Sequence, residues 1–211
     1  MNQRFDSIIF DMDGTLWDAV DSYCAVWDET SRALGIDHTV SRDELIHCMG
    51  MTIDKIYDRV AAPYCPADIR DRYLELLAHN ETTMMPRLGG RLYPGVREGI
   101  EQLSRGYKLF MVSNCGAEEL KNFLSFTGLT PFITDTLTYG ETMHGKDYNI
   151  ALISKRNHLK APIYVGDTEG DCRSAHSAGC PMLHVTYGFG TAPDADYSAG
   201  SFDEVVSFFN N

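Results

Sequence analysis

Positive charge is scarce in this chain: 18 lysines and arginines stand against 30 aspartates and glutamates, a formal net charge of -12. So acidic a chain lacks the basic face that grips a nucleic-acid backbone. A metal in a local site can still draw in a phosphorylated small molecule. Also absent is any apolar run near the ~18 residues that a membrane span needs. The N-terminus, MNQRFDSIIFDMDG, has no basic stretch followed by a long apolar segment. The expectation is therefore no secretory signal and a cytoplasmic protein. Cys24, Cys48, Cys65, Cys115, Cys172 and Cys180 include no C-x-x-C pair and read as reduced thiols. The sequon Asn80-Glu81-Thr82 would go unused in such a protein. Internal repeats and low-complexity segments are missing too.

What is present is the composition of a folded protein, 44% hydrophobic and 23% charged over 211 residues. That length holds one good-sized core, or a core domain with a smaller insert. Ser7-Ile8-Ile9-Phe10, Lys108 to Val112 and Pro162 to Val165 are short continuous apolar runs, and Met182 to Val185 is a weaker one. Apolar residues at successive positions suit strands buried on both faces of a parallel sheet. Helical spacing lies between them, over Val96 to Leu103, Glu118 to Phe126 and Asp147 to Arg156. Strands alternating with helices predict an α/β fold with crossovers. From Leu16 to Leu88 no convincing strand is seen. Amphipathic segments occur there at Ser22–Leu34, Arg42–Met49, Ile53–Val60 and Ala67–His79. Gly89 to Gly95 reads as a flexible return path. The expected organisation is a discontinuous α/β core of residues 1–15 and 89–211, with an all-helical insert over 16–88.

Asp11 and Asp13 lie two apart at the exit of the first strand, so their side chains share a face. In parallel sheets, ligands gather outside these carboxyl ends. Two crowded carboxylates repel unless a cation joins them, and an all-oxygen site suits Mg²⁺. A turn or capping pair would use the same residues. An EF-hand would not, because its glycine and glutamate positions fall on Leu16 and Ser22. Asp167 and Asp171 repeat the arrangement after the third core strand, with helix N-capping at Asp167-Thr168 as the alternative. Ser113-Asn114, at another strand exit before a helix, offers an anion pocket or a helix cap.

Gly140 to Lys146 has P-loop spacing, but Asp147 stands where a metal-binding hydroxyl is required. Lys146 therefore reads as a fixed charge beside a phosphate or carboxylate, or as a solvated surface lysine. No cysteine has an arginine six residues on, and the seven histidines form no paired motif. Cysteine- and histidine-based phosphatase chemistry finds no support.

The order D-x-D-G-T at Asp11 to Thr15, then Ser113, then Lys146, then G-D-T-x-x-D at Gly166 to Asp171 resembles the haloacid dehalogenase superfamily of aspartyl phosphatases. The resemblance implies a Rossmann-like parallel sheet with a helical cap over 16–88. It implies an Mg²⁺-dependent phosphatase acting on a small phosphomonoester, such as phosphoglycolate or a sugar phosphate. Asp11 would be the nucleophile, and Asp13 the general acid and then base. Ser113, Asn114 and Lys146 would hold the phosphate. The metal would take the Asp11 carboxylate, the Asp13 backbone carbonyl and Asp167, with Asp171 in support. Asp13 separates the chain from dehalogenases, which lack it. A phosphomutase would need an arginine near Gly50 to Ile53, and none occurs before Arg59. A non-catalytic binding protein of this fold is the third reading. Asp147 stands where many relatives carry proline. The expected partner is a small phosphorylated metabolite, and the expected state a monomer. Lys55 and Arg59 are candidate cap contacts to substrate, while Trp17 and Trp27 are expected to pack the hinge and cap.

Overall fold

A computed structural model describes residues 4–210. Along the chain run β1 (Ser7–Phe10), β2 (Trp17–Asp18), α1 (Val20–Ala33), α2 (Arg42–Ile46), α3 (Ile53–Val60) and α4 (Arg70–Leu88). Next come β3 (Arg91–Leu92), α5 (Val96–Ser104), β4 (Lys108–Ser113), α6 (Ala117–Thr127), β5 (Ile133–Thr138) and α7 (Tyr139–Thr142). The chain finishes with α8 (Lys146–Arg156), β6 (Pro162–Gly166), α9 (Glu169–Ser177), β7 (Met182–Val185), β8 (Tyr197–Ala199) and α10 (Phe202–Asn210).

Six strands form one parallel sheet in the order β5-β4-β1-β6-β7-β8. The most apolar strand, β1, lies between β4 and β6, with Ile9 opposite Phe110 on one side and Tyr164 on the other. Alternation divides its side chains between two faces. Ile8 and Phe10 join the core shared with α5, α6, α10 and the helices before residue 88, whereas Ile9 packs with Ile150 and Ile153 of α8 and Ala175 of α9. An α/β sheet covered on both faces is the expected fold class.

Two elements differ from expectation within the stretch read as strand-free. Trp17–Asp18 pairs antiparallel with Arg91–Leu92, inside the segment expected to be a flexible return. A two-residue ribbon carries no periodicity for a sequence reading to detect. Helix α4 also runs on to Leu88, well beyond the expected end at His79. Asn80, Thr82 and Thr83 weaken its helical pattern. In the fold the two threonine hydroxyls donate to the Ala78 and His79 carbonyls, and the Asn80 amide donates to Thr30. The edge strand β5 has no apolar run to announce it, because Thr134, Asp135, Thr136 and Thr138 leave only two of its six residues apolar. Among the described residues, no helix is long and apolar enough to cross a membrane.

Candidate active site

The chemistry-bearing residues gather at the carboxyl edge of the sheet because β1, β4 and β6 are parallel neighbours that end together. Asp11 follows β1 directly, and its N–H donates to the Val165 carbonyl at 2.9 Å, extending the ladder one step past the strand. The chain then tightens: the N–H groups of Thr15, Leu16 and Trp17 all point to the Met12 carbonyl. Gly14 makes this possible with φ +78, and a Cβ there would lie 2.2 Å from Oδ2 of Asp167. Only glycine fits both conditions.

Lys146, at the start of α8, is buried, with Nζ 3.0 Å from Oδ2 of Asp11 and 2.5 Å from Oδ1 of Asp171. It is not the solvated surface lysine of the alternative reading. Burial lowers its pKa, but the Asp11 and Asp171 carboxylates outweigh that and raise it above the ordinary lysine value. It is a permanent cation.

Asp11, Asp167 and Asp171 bring one carboxylate oxygen each within 4.8 Å of one another. Burial, against the pull of Lys146, pushes the Asp11 carboxyl up to about 6. Burial and the charges of Asp171 and Asp11 push Asp167 up to about 8. Asp171 goes the other way: burial raises it, but Lys146 and the Thr168 hydrogen bonds hold it below the usual range. Both Asp171 oxygens are engaged, Oδ1 by Lys146 and Oδ2 by the Thr168 hydroxyl at 2.7 Å and backbone N–H at 2.9 Å. Thr168 is indeed the N-cap of α9, so capping and site-building coexist here. Asp167 accepts from Phe189 N–H at 2.7 Å and from the Thr15 hydroxyl at 3.3 Å.

Oδ1 of Asp11 is buried with no hydrogen-bond partner. Three carboxyl groups gather around that oxygen with one ammonium among them. Such an all-oxygen set fits a hard divalent cation.

Asp13 stands apart from this cluster. Its Oδ1 accepts the indole N–H of Trp17 at 2.9 Å. Burial and the neighbouring charges of Asp11 and Glu119 raise its pKa well above the ordinary value, which favours its protonated form. Asp11, Asp13, Ser113 and Asn114 line one cavity of about 270 Å³. Lys146 and Asp171 face a neighbouring one of about 470 Å³, and Asn114 borders both. Neither Ser113 nor Asn114 caps α6, whose N-cap is Gly116. The Asn114 amide instead donates to the Gly50 carbonyl at 2.9 Å, tying the core to the turn before α3, and its Oδ1 is buried without a partner.

Lys55 lines the neighbouring cavity, whereas Arg59 lies in a separate hollow with Asp43, Glu44 and His47, away from these carboxylates. Trp17 packs edge-on against Phe123 as a hinge residue would, but it also holds Asp13. Trp27 packs on Tyr73 and forms part of the cavity wall, a contact its packing role did not anticipate. Sequence reasoning also missed Phe189, Glu81 and Glu119. The Gly188-Phe189-Gly190 loop after β7 was the available signal for the first. The two glutamates come from distant helices and gave none.

The model of the haloacid dehalogenase-like hydrolase family matches residues 8–185. A phosphoglycolate phosphatase of Vibrio parahaemolyticus serotype O3:K6 is 27% identical over 220 residues, covering 97% of this chain and 96% of its own. One from Rhodobacter capsulatus is 26% identical, covering 94% and 92%. Among solved structures, a predicted phosphoglycolate phosphatase from Haemophilus somnus 129pt superposes with a TM-score of 0.88 at 21% identity, covering 99% of both chains. CbbY from Rhodobacter sphaeroides in complex with phosphate gives 0.80 at 19% identity, covering 95% and 96%. At these identities the structural likeness speaks for the fold.

Proposed function

This chain belongs to the haloacid dehalogenase-like hydrolase family, and we propose that within it the protein is a Mg²⁺-dependent phosphatase of small phosphomonoesters, working through an aspartyl-phosphate on Asp11. One observation carries the reading: Asp11 presents a buried, unpartnered oxygen beside a fixed lysine at the wall of an open cavity.

The Asp11 carboxylate attacks phosphorus, forming a phosphorus–oxygen bond as the bond to the leaving alcohol breaks. Asp13, whose pKa burial raises, gives its proton to the departing oxygen. As a carboxylate it then takes a proton from water, which attacks phosphorus and frees Asp11. Ser113 and Asn114 orient the phosphoryl oxygens, and Lys146 offsets the charge that would repel a dianionic phosphate. The cation would be held by Asp11, Asp167 and the Asp13 carbonyl, with Asp171 fixing Lys146 and the loop. When bound, it supplies further positive charge against the phosphoryl oxygens.

In this reading residues 1–15 and 89–211 form the core and 16–88 the cap, since α1, α2 and α3 contribute cavity walls. The protein acts as a cytoplasmic monomer on a phosphorylated metabolite. Phosphoglycolate phosphatases among the relatives support the reaction class. The test is phosphate release from a panel of phosphomonoesters with MgCl₂, for wild type and Asp11→Asn. Metal-dependent release that the substitution abolishes supports the mechanism. Equal release by both proteins would sink it.

A further inference from the structure

Cavity walls are the part of the site that the phosphate chemistry does not use. Beyond Asp11 and Ser113, the 270 Å³ cavity is bounded by Tyr23 and Trp27 of α1, Met49 and Met51, Ile56 of α3, and Met143. Its size is close to the lower end of the roughly 300–1,000 Å³ of small-molecule sites. Methionine thioethers adapt to varied apolar shapes, and Met143 at the rim is 66% exposed. Among the described residues lining this cavity, none is lysine, arginine or histidine, but five are acidic: Asp11, Asp13, Asp54, Glu81 and Glu119.

Asp13 accepts from the Trp17 indole, and the other four acids are accounted for differently. Asp54 is neutralised by Arg70 at 2.8 Å. Asp11 is paired with Lys146, which faces the other cavity. Glu81 of α4 is buried where α4 packs against α6, which carries Glu119, and burial and the Glu119 charge raise its pKa well above the ordinary value. Glu119 accepts from the Gly116 N–H at 2.9 Å. The pair adds acidic charge to an apolar wall with no cation lining the cavity beside it. An acidic leaving group would meet that charge without a counter-ion.

We propose that the ester cleaved here carries a largely apolar leaving alcohol with no negative charge, whose hydrogen-bond donor meets the Glu81–Glu119 pair. This rests on the phosphatase reading above and narrows its substrate class. It runs against glycolate, the leaving group of the relatives' named substrate. A two-carbon carboxylate would neither fill the aromatic and methionine wall nor find a cation lining it.

The test compares kcat/KM with MgCl₂ for four alkyl phosphates: phosphoglycolate, 2-hydroxyethyl phosphate, phosphoethanolamine and 2-phenylethyl phosphate. The expected order has phosphoglycolate last, at least tenfold below 2-phenylethyl phosphate. Hydrolysis of all four with phosphoglycolate first or equal would overturn this inference and leave the phosphatase reading standing. No Asp11-dependent release from any ester would overturn both. In the double variant Glu81→Gln, Glu119→Gln, phosphoglycolate should gain about tenfold relative to 2-hydroxyethyl phosphate. An unchanged ratio in a folded variant would remove the pair from the argument. Should that variant fail to fold, the wild-type ranking decides alone.

Discussion

The indole Nε1 of Trp17 donates to Oδ1 of Asp13 over 2.9 Å, and both side chains are buried. The bond fixes the proposed acid in one orientation, and no other side chain among the described residues hydrogen-bonds its second oxygen. We predict that Trp17→Phe lowers kcat by roughly 10–100-fold, the worth of one hydrogen bond to an ionisable group. KM should change little, because the indole N–H bonds to Asp13, not to Ser113, Asn114 or Lys146. Steady-state kinetics decide: a fall in kcat/KM that lies entirely in KM would refute the positioning role.

Asp167 lies against Asp11 and Asp171 with no cation among its side-chain partners, since Lys146 bridges the other two. A divalent cation that binds the folded chain alone must raise its melting temperature. We predict that MgCl₂ raises the Tm of wild type, that EDTA reverses the rise, and that Asp167→Asn abolishes it. Differential scanning fluorimetry reads this without any turnover. A shift of equal size in the variant would remove Asp167 from the cation site.

Removing Lys146 leaves two buried carboxylates facing each other. We predict that Lys146→Met destabilises the metal-free protein by about 3–5 kcal/mol, the usual cost of stripping one partner from a buried pair. Urea unfolding in EDTA measures it. Added Mg²⁺ should restore part of the loss, and a variant as stable as wild type in EDTA would contradict the pairing described here.

Burial and the charge of Glu119 raise the Glu81 carboxyl well above its ordinary value of 4.5. Between that unfolded value and the raised folded one, the native chain holds a proton that the unfolded chain releases. Stability from this group is therefore intact below about pH 4.5 and falls as pH rises toward the folded value, by up to about 1.4 kcal/mol per pH unit. We predict that Glu81→Gln flattens this limb and raises Tm at neutral pH. Melting curves across pH 4–8 that keep the wild-type slope would disprove it.

The core strands were legible because burial on both faces writes itself as unbroken apolar runs, and their exits marked Asp11, Ser113 and Asp167 in advance. What stayed hidden depended on distance or brevity. Phe189 reaches Asp167 through a loop that has no pattern of its own. Glu81 and Glu119 meet only because α4 packs against α6. Trp17 could be placed near a hinge, but no spacing rule says that an indole will turn back four residues to hold an aspartate. The polar edge strand β5 lacked the apolar run that revealed its neighbours.

The short ribbon of Trp17–Asp18 with Arg91–Leu92 brings together the two places where the chain leaves and rejoins the sheet. A peptide of a few residues could close that gap, because the cost of closing so short a loop is small. The ends of the segment between the two strands therefore adjoin. Ancestral exchange or laboratory shuffling could swap the whole helical segment through a single junction, renewing the leaving-group wall while the strand registers beneath it stay as they are.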